Sequence, residues 1–223
     1  AQAVLDAAHE YGVSVTVYLG AVMMQALLDL QREKVPWHWL RRPIKVQIPV
    51  NLRQLFPSKT LRNFALYANP EINPKLGSYS FHQICQLVHH QLPLEATPQQ
   101  MRARITSNVS SERSLIVRAL PLFLKNIALK IAFNTVGEKK VCLSMSNIGN
   151  VTLPEEMRPF VERMDFILAP QASAPHNCGV ISYNGTLYIN LIRTTQEPEL
   201  EAHFCRILQQ QGLRVLAESN GRL

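Results

Sequence analysis

The apolar positions of the chain follow two periodicities, and these divide it into helices and strands. In residues 13–30, Tyr18, Leu19, Val22, Met23, Ala26, Leu27 and Leu30 recur at helical spacing. That spacing predicts a helix capped by Ser14 or Thr16 and ending in Gln31-Arg32-Glu33-Lys34, because Pro36 bars its continuation. Trp37-His38-Trp39 then reads as a loop or capping patch, with the two tryptophans as packing anchors. From residue 44 the period drops to two. Ile44, Val46, Ile48 and Val50 alternate with Lys45 and Gln47, predicting a strand with one buried face over 44–50. A polar loop leads to a second strand at 64–68 and a turn region at Pro70, Asn73 and Pro74.

Helical patterning returns over 80–91, where the adjacent His89 and His90, ahead of Pro93, suit an exposed helix end. It returns again after Thr97, a cap followed by Pro98 at the first helical position. A third helix is expected over about 114–136, with a wide apolar face of Leu120, Leu124, Ile127, Ala128 and Ile131 and a start drawn toward Pro121. Beyond Gly137 the pattern is one of strands: 141–149, 161–170, 178–185 and 186–194. The last two are joined by Asn184-Gly185, a strong hairpin signal. A final helix over 197–211 opens with Pro198 and acidic residues and stops at Gly212, and 215–218 would be a short closing strand. No repeat or low-complexity linker interrupts this order. The expectation is one compact α/β unit over residues 1–223, an α+β two-layer sandwich with a mixed sheet and helices mainly on one face.

Composition narrows the classes. A chain of 223 residues can bury a sizeable core. No apolar run approaches the roughly 20 residues that span a bilayer, and the N-terminal residues lack a basic region before an apolar block, so no membrane span and no secretory signal are read. The first residue is not Met, so the chain reads as a fragment or a processed product. Cys85, Cys142, Cys178 and Cys205 are scattered, without CxxC or Cys/His ligand spacing, which fits free thiols in a reducing cytoplasm and no metal. The net charge of +7 is uneven: residues 1–150 hold 17 Lys+Arg against 8 Asp+Glu, and residues 151–223 hold 6 against 8. Apart from Arg41-Arg42 and Lys139-Lys140 the cations are dispersed, with no interleaved aromatic stacking pattern, so no nucleic acid is expected; a phosphate-bearing small molecule or an acidic partner surface fits the charge.

No GxSxG, P-loop, dinucleotide fingerprint or HExxH is present, and Asp6, Asp29 and Asp165 are the only aspartates. Two polar clusters remain. Pro49-Val50-Asn51-Leu52-Arg53, continuing to Asn63-Phe64, places an Arg just beyond a buried strand. There it either holds a carboxylate bidentately or is a solvated loop residue. Ser144-Met145-Ser146-Asn147-Ile148-Gly149-Asn150 puts polar side chains on alternate strand positions before a glycine: either a strand end facing a cleft or a hydrogen-bonded strand terminus.

These clusters carry a resemblance. "GVSVTVYLGAVMMQAL" followed by "IKVQIPVNLRQLFPSKTLRNF", then "LSMSNIGNVTLP" and "ISYNGTLYINL", resembles in order and spacing the C-terminal half of the chloramphenicol-acetyltransferase, condensation-domain and alcohol-acetyltransferase superfamily, the bacterial alcohol-acetyltransferase-like proteins in particular. The resemblance implies two similar subdomains with the active site in a tunnel between them. The base would be the second His of an HHxxxD motif in the first subdomain, taking a proton from an alcohol or amine that attacks a coenzyme A or carrier-protein thioester. Here His9, His38, His82, His89, His90, His176 and His203 are followed four residues later by Val13, Arg42, Gln86, Pro93, Leu94, Val180 and Ile207, so the motif is absent. By resemblance, Arg53 matches the Arg that pairs with the Asp of that motif, with Asn51 and Asn63 as structural support. Ser144, Ser146, Asn147 and Gly149 fall on the tunnel-lining strand. The family's Gly before Asn-Phe is Arg62 here, which changes that turn. The partners expected are the missing N-terminal subdomain and small-molecule acyl donor and acceptor, with self-association through an uncovered tunnel wall. A non-catalytic assembly module of the same fold is the alternative.

Overall fold

The computed structural model describes residues 1–113, 121–135, 141–170 and 174–220. Among these, helices α1 (Gln2–Glu10), α2 (Val15–Lys34), α3 (Phe81–Glu95), α4 (Pro98–Arg113), α5 (Leu122–Thr135) and α6 (Glu199–Gln210) accompany strands β1 (Ile44–Asn51), β2 (Ala65–Ala68), β3 (Glu71–Ile72), β4 (Leu143–Val151), β5 (His176–Tyr183) and β6 (Thr186–Arg193). The sheet is mixed, in the order β2-β1-β4-β5-β6, with β3 continuing the β2 edge along the start of β1. β1, β4 and β5 are mutually parallel, and the outer pairings are antiparallel.

The core is built around α2. Ser14 caps it, its hydroxyl accepting from the Val17 N–H at 3.3 Å. Ten residues from Val17 to Leu28 are buried, because α3 and α6 flank the helix while Ile44, Val46 and Ile48 of β1, Leu143 and Met145 of β4 and Cys178 and Val180 of β5 face it. A helix enclosed this way needs no polar stripe. Among the described residues no single helix is long and apolar enough to cross a membrane; α1 and α2 reach that length only together, across a 79° bend.

The expected cap at Thr97 forms, with the Gln100 N–H bonded to its hydroxyl. The β5–β6 turn has both Asn184 (φ 47°) and Gly185 (φ 76°) in the left-handed region, as a two-residue hairpin demands. α6 ends at Gly212 (φ 76°), where the Leu213 N–H closes onto the Leu208 carbonyl.

Four expectations need correction, and two further elements appear. Residues 161–170 are not a strand; they run over the face of β5 and β6 opposite the helices, tied by side chains. Asn190 Oδ1 accepts from the Phe166 N–H (3.0 Å), Asn177 Nδ2 donates to the Ala169 carbonyl (2.9 Å) and the Tyr183 hydroxyl donates to the Val161 carbonyl (2.9 Å). Residues 215–218 form no strand either, since Gly212 directs them past the sheet and Glu218 pairs with Arg163 of that strap instead. α3 runs through Pro93 to Glu95: a proline in the last turn forfeits one bond, while Glu95 accepts from Asn69 N and Arg104. α1 and β3 are elements the apolar spacing did not single out, β3 being two residues whose Glu71 backbone is bonded on both sides by the Gln91 amide of α3. Trp37 and Trp39 are not anchors; they are 59% and 54% exposed and stack on each other. Of the helix expected over 114–136, α5 is its described part, beginning just after Pro121, while 114–120 and 136 lie outside the described residues.

Candidate functional site

The β1 cluster lies at the carboxyl end of its strand, the edge of an open α/β sheet where ligands bind, whereas the β4 cluster runs along its strand from Ser144 near the amino end to Asn150 near the carboxyl end. The ladder between β1 and β4 is short, pairing Val46 with Leu143 and Gln47 with Ser144. Beyond it β1 turns its bonding to β2, from Ile48 to Asn51, while β4 stays paired with β5. The ends of β1 and β4 are therefore not bonded to each other; Asn51 on β1 and Ser146, Asn147 and Gly149 on β4 lie beyond the ladder, while Ser144 lies within it.

On the β1 side, Asn51 Oδ1 accepts from the Arg53 N–H at 3.1 Å, starting a 3-10 turn over Leu52–Gln54 that buries Leu52. The turn aims the Arg53 guanidinium at the returning loop, where Nε and Nη2 donate to the Thr60 carbonyl (3.3 and 2.8 Å) and Nη2 also to the Arg62 carbonyl (2.6 Å). Nη1 has no partner among the described residues, and the residue is exposed. Arg53 is thus held in place, with one face of its fork open. Asn63 is exposed beside it, next to Phe64, whose carbonyl accepts from Leu52 N.

On the β4 side the pleat separates the four residues. Ser144 and Ser146 point away from α2. Ser144 is buried, aligned with buried Gln47 of β1 and Asn177 of β5, whose Oδ1 accepts from Ser144 N at 3.4 Å. Ser146 is half-buried opposite Gly179. Asn147 points toward α2, its Nδ2 donating to Thr16 Oγ1 (3.1 Å) and its Oδ1 accepting from Gly149 N (2.8 Å). Gly149 takes φ 85°, and the register with β5 slips between Asn147 and Asn150. Asn147 therefore fixes a bulge, which re-aims the strand end. Removing it as Asn147→Ala should cost about 1–2 kcal/mol through the orphaned Gly149 N–H, read as a lower urea midpoint at unchanged slope.

The residue pattern offers Thr16 only as a helix cap, a place Ser14 takes, and does not single out Gln47 or Asn177, since a polar residue on an apolar strand reads the same whether it meets solvent or a neighbour. No His lies on β1, β4 or the loops after them. His203 is bonded to Glu33 and neighbours Arg206, and burial holds His176 below the usual imidazole range at the amino end of β5. Burial pushes the Cys85 and Cys178 thiols up to about 12, far from nucleophilic use. Among the described residues no group of His, Cys, Asp or Glu is placed to hold a metal.

No family model and no curated protein matches the sequence. In structure the chain is similar to the nonribosomal peptide synthetase FmoA3, with TM-score 0.57 and 12% identity over 95% of this chain and 21% of that one. It is similar to the PapA2 acyl transferase, with TM-score 0.51 and 12% identity over 94% and 41%. It is also similar to polyketide synthase associated protein 5 from Mycobacterium tuberculosis, with TM-score 0.50 and 14% identity over 93% and 48%. The chain spans less than half the length of each. Over the matched region its fold is the one that these peptide synthetase and acyl transferase structures share.

Proposed function

We propose that the chain is the half of an acyltransferase that lacks the catalytic histidine, forming one wall of a tunnel through which an acyl group, acetyl in our reading, passes from a coenzyme A or carrier-protein thioester to an alcohol or amine. One observation carries this: the acyltransferase fold extends over nearly the whole chain, yet no His in it has an Asp four residues on. The base then belongs to a preceding subdomain. Its imidazole takes the acceptor's proton as the nucleophile adds to the thioester carbonyl and later passes a proton to the departing thiolate. This half contributes the Ser146 hydroxyl as a donor toward the developing oxyanion and Arg53, whose open Nη1 suits the carboxylate of the loop carrying the base. Exposed Leu61, Ile148, Met157 and Phe160, on or just after the ends of β1 and β4, supply apolar surface for that subdomain to cover. Exposed Leu122, Leu124 and Ile127 of α5 offer a second such surface, through which an isolated half would self-associate. A cytoplasmic setting suits the free thiols.

Arg53→Ala in the full-length protein should lower kcat/KM roughly tenfold or more, with Arg53→Lys failing to restore it because a point charge cannot replace the fork. Wild-type turnover in Arg53→Ala would remove the assigned role. An upstream coding region without HHxxxD would favour an assembly module of the same fold.

A further inference from the structure

Trp37, Trp39, Leu40 and Leu76 form an exposed patch that the acyltransferase reading does not use. They are 59%, 54%, 59% and 80% accessible. The 3-10 turns His38–Leu40 and Pro74–Leu76 pack side by side, and the two indoles lie 5.0 Å apart. Neither indole N–H has a partner among the described residues. The turn is pinned. Arg41 donates to the Val35 and Pro36 carbonyls (3.0 and 3.3 Å), and Gln31 Nε2 donates to the Arg42 carbonyl (3.1 Å). The aromatic rings are thus presented on a fixed support at the amino end of β1, the end opposite the candidate site.

Lys34, Arg41, Arg42 and Lys45 flank the first turn in sequence, and Lys75 lies in the second. Lys34 pairs with Glu199 and Lys45 with Glu71, while exposed Arg42 and Lys75 have no ion pair among the described residues, and Arg41 meets only uncharged carbonyls. Indoles with unmet N–H groups, two leucines and a rim of uncompensated cations match the boundary of an anionic bilayer, where the ring enters the acyl region, the N–H finds headgroup oxygens and the cations meet phosphate.

We infer that the Trp37-Trp39-Leu40-Leu76 patch docks the protein peripherally on an anionic lipid surface, leaving the opposite, carboxyl edge of the sheet facing away from it. This rests on the patch alone and stands whether or not the chain belongs to an acyltransferase.

The test is co-sedimentation of the full-length protein with vesicles of phosphatidylcholine, alone or mixed equally with phosphatidylglycerol. Binding to the mixed vesicles only is expected, together with a blue shift in the tryptophan emission that Trp37→Phe/Trp39→Phe removes from the difference spectrum. Arg42→Glu/Lys75→Glu should weaken partitioning about tenfold or more, since each cation near such a surface counts for about 1 kcal/mol. No binding to the mixed vesicles overturns the inference, as does binding that both double variants retain in full. A blue shift that rises with protein concentration without lipid assigns the patch to a second copy and also overturns it.

Discussion

Gly179→Ala should lower the melting temperature more than a methyl group added at any other described glycine. A Cβ built at Gly179 would stand 1.9 Å from the Phe166 carbonyl oxygen and 3.0 Å from its carbon, and these are backbone atoms that no rotamer change can move. The strap over 161–170 would have to lift, and the bonds from Phe166 N to Asn190 and from Asn177 to Ala169 would go with it. An obstruction of this kind costs about 3 kcal/mol or more, or about 6–12 °C for a chain of this size. Gly20→Ala is the control. In the buried core of α2 its Cβ would meet only the side-chain ends of Met145, Ile48 and Val88 at 3.5–3.9 Å, so helix propensity decides and the change should be neutral or stabilising by up to about 1 kcal/mol. A Gly179→Ala protein as stable as wild type would mean that the strap does not press on β5.

The second large effect concerns activity. The isolated chain should show no acyl transfer from acetyl-CoA to alcohols or amines above the uncatalysed rate, whatever its stability. The full-length protein with an upstream HHxxxD subdomain should turn over, and replacing the second His of that motif by Ala should abolish the difference. General-base catalysis alone supplies about 100- to 10,000-fold, so the contrast is easily resolved. Robust turnover by the isolated chain would place a base on these residues and sink the proposed division of labour. The assay does not depend on knowing the natural acceptor, because thiol release from acetyl-CoA can be followed with a panel of alcohols and amines.

How much was readable in advance differs from element to element for physical reasons. The amino acid sequence alone determined the elements whose signals are local: the Ser14-capped α2 stopped by Pro36, the alternating β1, the Asn184-Gly185 hairpin and the Gly212 stop. It also determined that no His has an Asp four residues on. Capping, φ preference and side-chain period act within a few residues, so they survive without a fold. Only the tertiary structure decided the rest. Residues 161–170 have a strand-like apolar pattern, yet they lie across the sheet, because Asn177, Tyr183 and Asn190 take up their backbone groups and Gly179 makes the room. The early end of the β1–β4 ladder, the Asn147 link to Thr16 across 131 positions and the exposure of both tryptophans depend on distant partners. Burial and long-range pairing are properties of the packed chain, and no local pattern can state them.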